Sequence, residues 1–84
     1  MTPKERATEI MRKNLSIITG INESLIFYFH KDDYKVEMAR QFSLIQVGYM
    51  ILAQKACFPK MANLYEQSDQ YKYLVKIKKE IDLL

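Results

Sequence analysis

The sequence holds one cysteine, Cys57, and one histidine, His30. In nucleophilic enzymes a histidine takes the proton of a thiol, and a third polar group orients the histidine. No pattern in this sequence supplies that third group. An unpaired cysteine is usually a small buried hydrophobe, and we expect this of Cys57, with His30 at the solvent-exposed end of an element. The sequence therefore predicts no catalytic residues and no enzymatic activity.

Metal and cofactor sites would need residue clusters that are missing from this sequence. Structural zinc sites take several cysteines and histidines at set spacing. The adjacent Asp32 and Asp33 could contact a cation, but they stand where a helix should begin, and helix capping explains them. Gly20 and Gly48 are the only glycines, so neither a P-loop nor a dinucleotide fingerprint can be written. We expect no metal, no cofactor and no small-molecule substrate.

Three lysines near the end of the sequence, Lys72, Lys76 and Lys79, are spaced by four and three residues and share one face of a predicted helix. Such a row could bind phosphate, an anionic membrane surface or an acidic protein. The net charge is +3 and the isoelectric point is near 9.0. Glu80 and Asp82 dilute the row, which favours a solvated helix face. The three lysines are nevertheless our candidates for contact with an anionic partner.

A helix-turn-helix can be drawn over residues 15–29, with Gly20 in the turn. Four apolar residues would occupy its buried positions: Leu15, Ile21, Ile26 and Phe29. The second helix would offer the major groove only Glu23, Leu25, Phe27 and Tyr28. Base edges are read by hydrogen-bonding side chains and phosphates by cations, so this helix would read DNA poorly. We favour two core helices joined by a glycine turn and keep a DNA-binding regulator as the alternative function.

Tyrosine is abundant, with six tyrosines and no tryptophan in 84 residues. Tyr65, Tyr71 and Tyr73 lie close together in the last segment. Tyrosine is enriched at protein interfaces because its ring is apolar while its hydroxyl can stay in water. The three tyrosines are therefore candidates for binding a partner protein, with packing in the core as the equal alternative.

The elements that must position these residues are mostly helical. The stretch Thr2-Pro3-Lys4-Glu5 has the features of a capping box, with a hydroxyl cap, a proline in the first turn and a carboxylate three residues after the cap. An apolar stripe at helical spacing follows, and Gly20 should end this first helix.

Residues 24–30 and 71–78 are ambiguous. The first run is almost continuously apolar, and the second alternates, so each fits a helix or a strand. We favour a short helix capped by Asn22 for the first run. For the C-terminal segment we favour a helix with a fresh start at Ser68 or Asp69. A mixed fold with one short hairpin is the alternative.

The long central helix is predicted from Tyr34 to Ala56. Six residues step by four and three and predict one packed seam: Met38, Phe42, Ile45, Tyr49, Leu52 and Ala56. A second apolar row lies beside it: Val36, Ala39, Val47, Met50 and Cys57. Gly48 in the middle costs about 1 kcal/mol against alanine, which predicts the close approach of another helix there. Pro59 should end the helix.

Composition supports a single helical domain over residues 1–84, an all-α bundle of three to five helices around the central helix. With 49% hydrophobic residues, a chain this small should leave apolar surface exposed, and such patches usually mark contacts. No secretory signal is visible, the apolar run 42–58 is short for a membrane span, and the lone cysteine favours a cytoplasmic location.

For function, the sequence favours a non-enzymatic protein–protein interaction module. Small size, missing catalytic clusters and excess apolar surface are typical of a small regulator or inhibitor that binds a partner protein, or of a homodimer. The high content of lysine, isoleucine, tyrosine and asparagine suggests an AT-rich coding source. A phage or another mobile element is a possible source of such a protein.

Overall fold

A computed structural model describes residues 1–57 and 62–84, with side chains described from residue 64 in the second range. The elements in chain order are α1 (Pro3–Thr19), one 3-10 turn (Glu23–Leu25), α2 (Tyr34–Cys57), α3 (Ala62–Glu66) and α4 (Asp69–Leu83). The all-α bundle predicted from the sequence is confirmed. Residues 71–78 lie within α4, and the described ranges contain no strand, so the hairpin alternative is wrong.

The helix ends follow the local sequence signals. Thr2 Oγ1 accepts a hydrogen bond from the Glu5 backbone N–H at 3.2 Å. At the other end of α1, Gly20 adopts a left-handed φ of 73°, and its N–H bonds to the Ser16 carbonyl at 2.8 Å. Asp33 caps α2 by accepting from the Lys35 N–H at 2.9 Å. These caps satisfy backbone groups that lack a partner within the helix, so the predicted boundaries hold.

Between α1 and α2 the chain forms less helix than the sequence predicted. Asn22 caps the single 3-10 turn by accepting from the Ser24 N–H at 3.0 Å. Ile26 then leaves the helical conformation, with φ −94° and ψ 103°, and its side chain is buried in the core. Residues 26–33 are neither helix nor strand. The short helix predicted for residues 24–30 is therefore only one turn, and residues 15–29 hold no recognition helix for DNA.

The core lies where α1, α2 and α4 meet. Its buried apolar residues come from these three helices and from the link after α1: Ala7, Met11, Leu15, Ile26, Val36, Ala39, Val47, Leu74, Ile77 and Ile81. The 24 residues of α2 span about 36 Å at 1.5 Å per residue. The 17 residues of α1 and the 15 residues of α4 reach only about 25 Å and 22 Å. Each of the two shorter helices therefore runs along only part of the length of α2.

A buried polar cluster joins α1 to α2. The Asn14 amide Nδ2 donates to Ser43 Oγ and to Gln46 Oε1, both at 2.8 Å. Ser43 Oγ in turn donates to the Ala39 carbonyl at 2.6 Å. Asn14 and Ser43 are 8% and 0% exposed, so these bonds replace water that neither group can reach.

Gly48 does not mark a helix contact within the chain. A Cβ added there would meet no atom within 4 Å, so the predicted close approach is wrong within one molecule. Pro59, predicted to end the central helix, lies outside the described residues, and α2 ends at Cys57. Among the described residues, no helix is both long and apolar enough to cross a membrane.

Gly48→Ala should stabilise the isolated chain, because the new methyl group enters open space and alanine restricts the unfolded backbone. We expect a gain of up to about 1 kcal/mol in the free energy of unfolding, measured by urea denaturation in dilute solution. The matched control is Gly20→Ala, which forces a side chain into the left-handed region and should lose about 1 kcal/mol. Equal effects at the two glycines would contradict this account.

Candidate functional site

The largest departure from the sequence prediction lies on α2. The predicted seam is not buried: Met38, Phe42, Ile45, Tyr49 and Leu52 are 42, 50, 52, 68 and 61% exposed. We call these five residues the outward face of α2. Ala56 at its end is also exposed. The seam predicted as the core contact of the central helix is therefore its solvent-exposed side.

The second predicted row supplies the buried side of α2 in part. Val36, Ala39 and Val47 are at most 2% exposed, whereas Met50 and Cys57 are exposed. Residues on an α-helix are turned by about 100° from one to the next, which puts Val47 almost opposite Tyr49 and Ile45. The outward face and the buried side therefore lie on opposite sides of the helix.

No charge interrupts the outward face. Between Gln41 and Gln54 the sequence contains no Asp, Glu, Lys or Arg. On one side of the face, Tyr49 borders a groove of about 500 Å³ between α1 and α2. On the other side, Leu52 and Gly48 border a groove of about 570 Å³ between α2 and α4. The outward face is thus an apolar ridge between two shallow grooves, and it could hold an apolar surface of another molecule.

The tyrosines predicted to contact a partner are engaged within the chain. Tyr65 is only 9% exposed, its hydroxyl donates to Gln54 Oε1, and its ring lies edge-on to Tyr71 with 5.5 Å between the centroids. Tyr73 donates its hydroxyl to the Met1 carbonyl at 3.0 Å. A role in partner binding stays a prediction for these three residues, but Tyr65 has little surface left to offer.

A cation supports this tyrosine pair. Lys55 Nζ lies 5.5 Å from the Tyr71 ring centroid and 2.9 Å from Glu66 Oε1. The hydrogen bond to Glu66 raises the pKa of the Lys55 ammonium group, while burial raises the pKa of the Tyr65 hydroxyl. The contacts tie the end of α2 to α3 and α4, so they are structural.

Lys72, Lys76 and Lys79 are all exposed on α4, on the side away from the buried Leu74 and Ile77. None of the three forms an ion pair with a carboxylate of the described residues. They are available to an anionic partner, and that role stays a prediction.

His30 and Cys57 lie at opposite ends of α2: His30 comes before its first turn, and Cys57 is its last residue. They are separated by about the 36 Å length of the helix, so the structure does not bring them together. His30 packs edge-on against Tyr28, with 4.7 Å between the ring centroids. Within residues 1–57 and 62–84, no three His, Cys, Asp or Glu side chains are grouped so that they could hold a metal ion.

Sequence reasoning found the residues of the outward face but placed them on the wrong side. Among further exposed apolar residues, it did not single out Ile17, which is 80% exposed, and it named Phe27 and Tyr28, 74 and 68% exposed, only as part of a helix offered to DNA. The signal that could have identified the outward face is the heptad spacing on a helix that also carries a second apolar row. Comparison of the chain with protein-family models, with curated proteins and with solved structures gave no match.

Tyr65→Phe should make stability less dependent on alkaline pH. The raised pKa of Tyr65 means that the folded state favours the protonated hydroxyl, so this stabilisation is present below the unfolded pKa of about 10 and is lost as the pH rises further. The variant should also lose about 1 kcal/mol at neutral pH with the bond to Gln54. Urea denaturation at neutral and alkaline pH measures both effects.

The control for this measurement is Tyr34→Phe, because Tyr34 is 69% exposed. We expect that variant to unfold like the unchanged protein at both pH values. A fall in stability at alkaline pH that is the same for all three proteins would show that the burial of Tyr65 does not couple its ionisation to folding.

Proposed function

We propose that this protein is a non-enzymatic protein–protein interaction module that binds a partner through the outward face of α2. The observation that carries the proposal is the exposure, between 42 and 68%, of five large apolar side chains at heptad spacing on one helix. Acting as a small regulator or inhibitor, the protein would occupy a partner's surface. No chemical step is required for that role.

The physical support is the cost of leaving this surface in water. Apolar area removed from water contributes about 25 cal/mol per Å², and contiguous apolar patches on monomers often mark contact sites. Tyrosine and phenylalanine at the middle of such a patch suit a binding hot spot, because rigid aromatic rings bury much area with little loss of entropy. Heptad spacing favours a helix as the partner element, since it matches knobs-into-holes packing.

The cytoplasmic location and the origin from a phage or mobile element belong to the same proposal. The location is supported by the single cysteine, Cys57, which is exposed and has no disulfide partner. Reducing compartments preserve such a thiol. The origin is supported only by composition, so both points are secondary to the contact surface itself.

The first test uses a photoreactive benzoylphenylalanine in place of Ile45 or Leu52 in the cells that make this protein. Because these side chains point outward, irradiation should give a covalent adduct with a defined protein, identified by mass spectrometry. The matched controls carry the probe at Lys4 on α1 or Gln70 on α4, which are also exposed, and should give no such adduct.

A second substitution makes this test specific for the apolar surface. Phe42→Glu, combined with the probe at Leu52, should greatly reduce the adduct, because a carboxylate in the ridge must be desolvated on binding. Absence of adducts from both face positions, or equal adducts from all four positions, would overturn the proposed function.

DNA binding remains the competing function, and the three exposed lysines on α4 are the observation that favours it. Binding through phosphates releases counterions, so affinity falls steeply as salt rises. For a labelled random duplex we expect only weak association at low salt and no difference between the protein and Lys76→Gln at physiological salt. Tight binding with a steep salt dependence that Lys76→Gln reduces would favour the DNA-binding regulator instead.

A further inference from the structure

The outward face of α2 has a two-fold pattern. Together with Ala56, its apolar residues follow one another in steps of four, three, four, three and four along the sequence. The order of steps is the same from either end, and its midpoint is residue 47. A symmetric dimer needs one surface patch that fits a second copy of itself, and this ridge has that property when two α2 helices run in opposite directions.

Side-chain sizes are complementary in that arrangement. A two-fold axis that crosses the outward face at the level of residue 47 places Met38 opposite Ala56, Phe42 opposite Leu52, and Ile45 opposite Tyr49 of the second copy. Each of these pairs sets a larger side chain against a smaller one, which lets the two rows interdigitate. A parallel pair would instead place Phe42 and Tyr49 each beside its own counterpart and leave the two Ala56 residues with a gap between them.

The residues that flank the ridge favour the same arrangement. In antiparallel pairing, Gln46 faces Gln46 and Gly48 faces Gly48 across the axis, while Gln41 faces Lys55. Lys55 is already paired with Glu66 at 2.9 Å, so no like charges are brought together. The position of a Cβ on Gly48 is open in one molecule. Two glycines beside the axis would let the helix backbones approach closely.

The exposed area suits a weak dimer. With about 200 Å² for a fully exposed large side chain, the five residues of the outward face expose roughly 500 Å² per copy. Two copies would bury roughly 1,000 Å², the lower limit for a specific interface. The absence of charge between Gln41 and Gln54 also fits a second copy better than a strongly acidic or basic partner.

We propose that two copies of this chain pair through the outward faces of α2, antiparallel about residue 47, and thereby form a six-helix bundle from the three long helices of each copy. This inference rests on the proposed function, since it names the occupant of the same surface. The dimer should form at micromolar concentrations or above.

Cysteine cross-linking tests the pairing and its direction. In a Cys57→Ser background, Phe42→Cys and Leu52→Cys proteins are oxidised separately and as an equimolar mixture. The antiparallel dimer brings residue 42 of one copy to residue 52 of the other. The two copies of residue 42 stay about 15 Å apart, measured along the α2 helix axis. We expect disulfide dimers mainly in the mixture, as mixed species. Rapid dimers in each separate sample and few mixed species, or no dimers in any sample, would overturn the proposal.

Sedimentation of the unchanged protein from micromolar to millimolar concentration supplies the second measurement. We expect a shift from the 10.0 kDa monomer to a dimer, and a tenfold or greater weakening of the dimer in Tyr49→Glu. The matched control, Lys72→Glu, alters a charge on α4 and should dimerise like the unchanged protein. Circular dichroism shows that each variant stays helical.

The two proposals fail separately. A protein that remains monomeric over this range, while the photoreactive probes give an adduct with a different protein, overturns the dimer and leaves the proposed function intact. A protein that is monomeric and gives no adduct from the outward face overturns both. Adducts formed between two copies of this chain support both.

Discussion

The constraint on which this structure depends is that α2 is apolar on two opposite sides, while the helices that pack against it reach only one. The buried side meets α1 and α4 through small residues, Ala39 and Ser43 among them, and through Val47. These residues let the helix axes approach and leave room for Met11 and Ile77, which are fully buried. The large side chains of the opposite side are left to solvent, and this leaves the outward face of α2 uncovered.

Polar contacts also join segments of the bundle to one another. The Tyr73 hydroxyl bonds to the Met1 carbonyl, and Lys55 joins the end of α2 to Glu66. Arg6 and Lys13 both bond to Glu9 along α1 at 3.0 Å, and exposed pairs of this kind contribute little to stability. Packing of the three long helices, not surface charge, therefore holds the fold.

Sequence reasoning placed the helices well because their ends carry local signals. Thr2, Gly20, Asp33 and Ser68 each act through neighbours within a few positions, so no knowledge of the fold is needed to find them. The choice between the two rows of α2 could not be made that way. Both rows are apolar at helical spacing, and only packing decides between them: α1 brings Asn14 against Ser43 and Gln46, and this favours the row with small residues.

The segment before α2 shows a second limit of local signals. Its run of aliphatic and aromatic residues has no period that separates helix from strand, and the outcome depends on Ile26. That side chain belongs to the buried core, and its backbone is extended where the single 3-10 turn ends. The neighbouring Phe27 and Tyr28 are exposed to solvent. No pattern in residues 24–30 predicts this exposure.

The buried amide of Asn14 has a consequence for how this protein can change over time. Apolar neighbours in the core can be exchanged for others of similar volume one at a time. Asn14 and Ser43 cannot, because both are buried and replacing one by an apolar residue leaves the other without its hydrogen-bond partner. A shift of α1 by one turn along α2 would likewise separate the Asn14 amide from Ser43. The buried bond between Asn14 and Ser43 therefore favours a single alignment of the two helices, and in related chains these two positions should vary together or not at all.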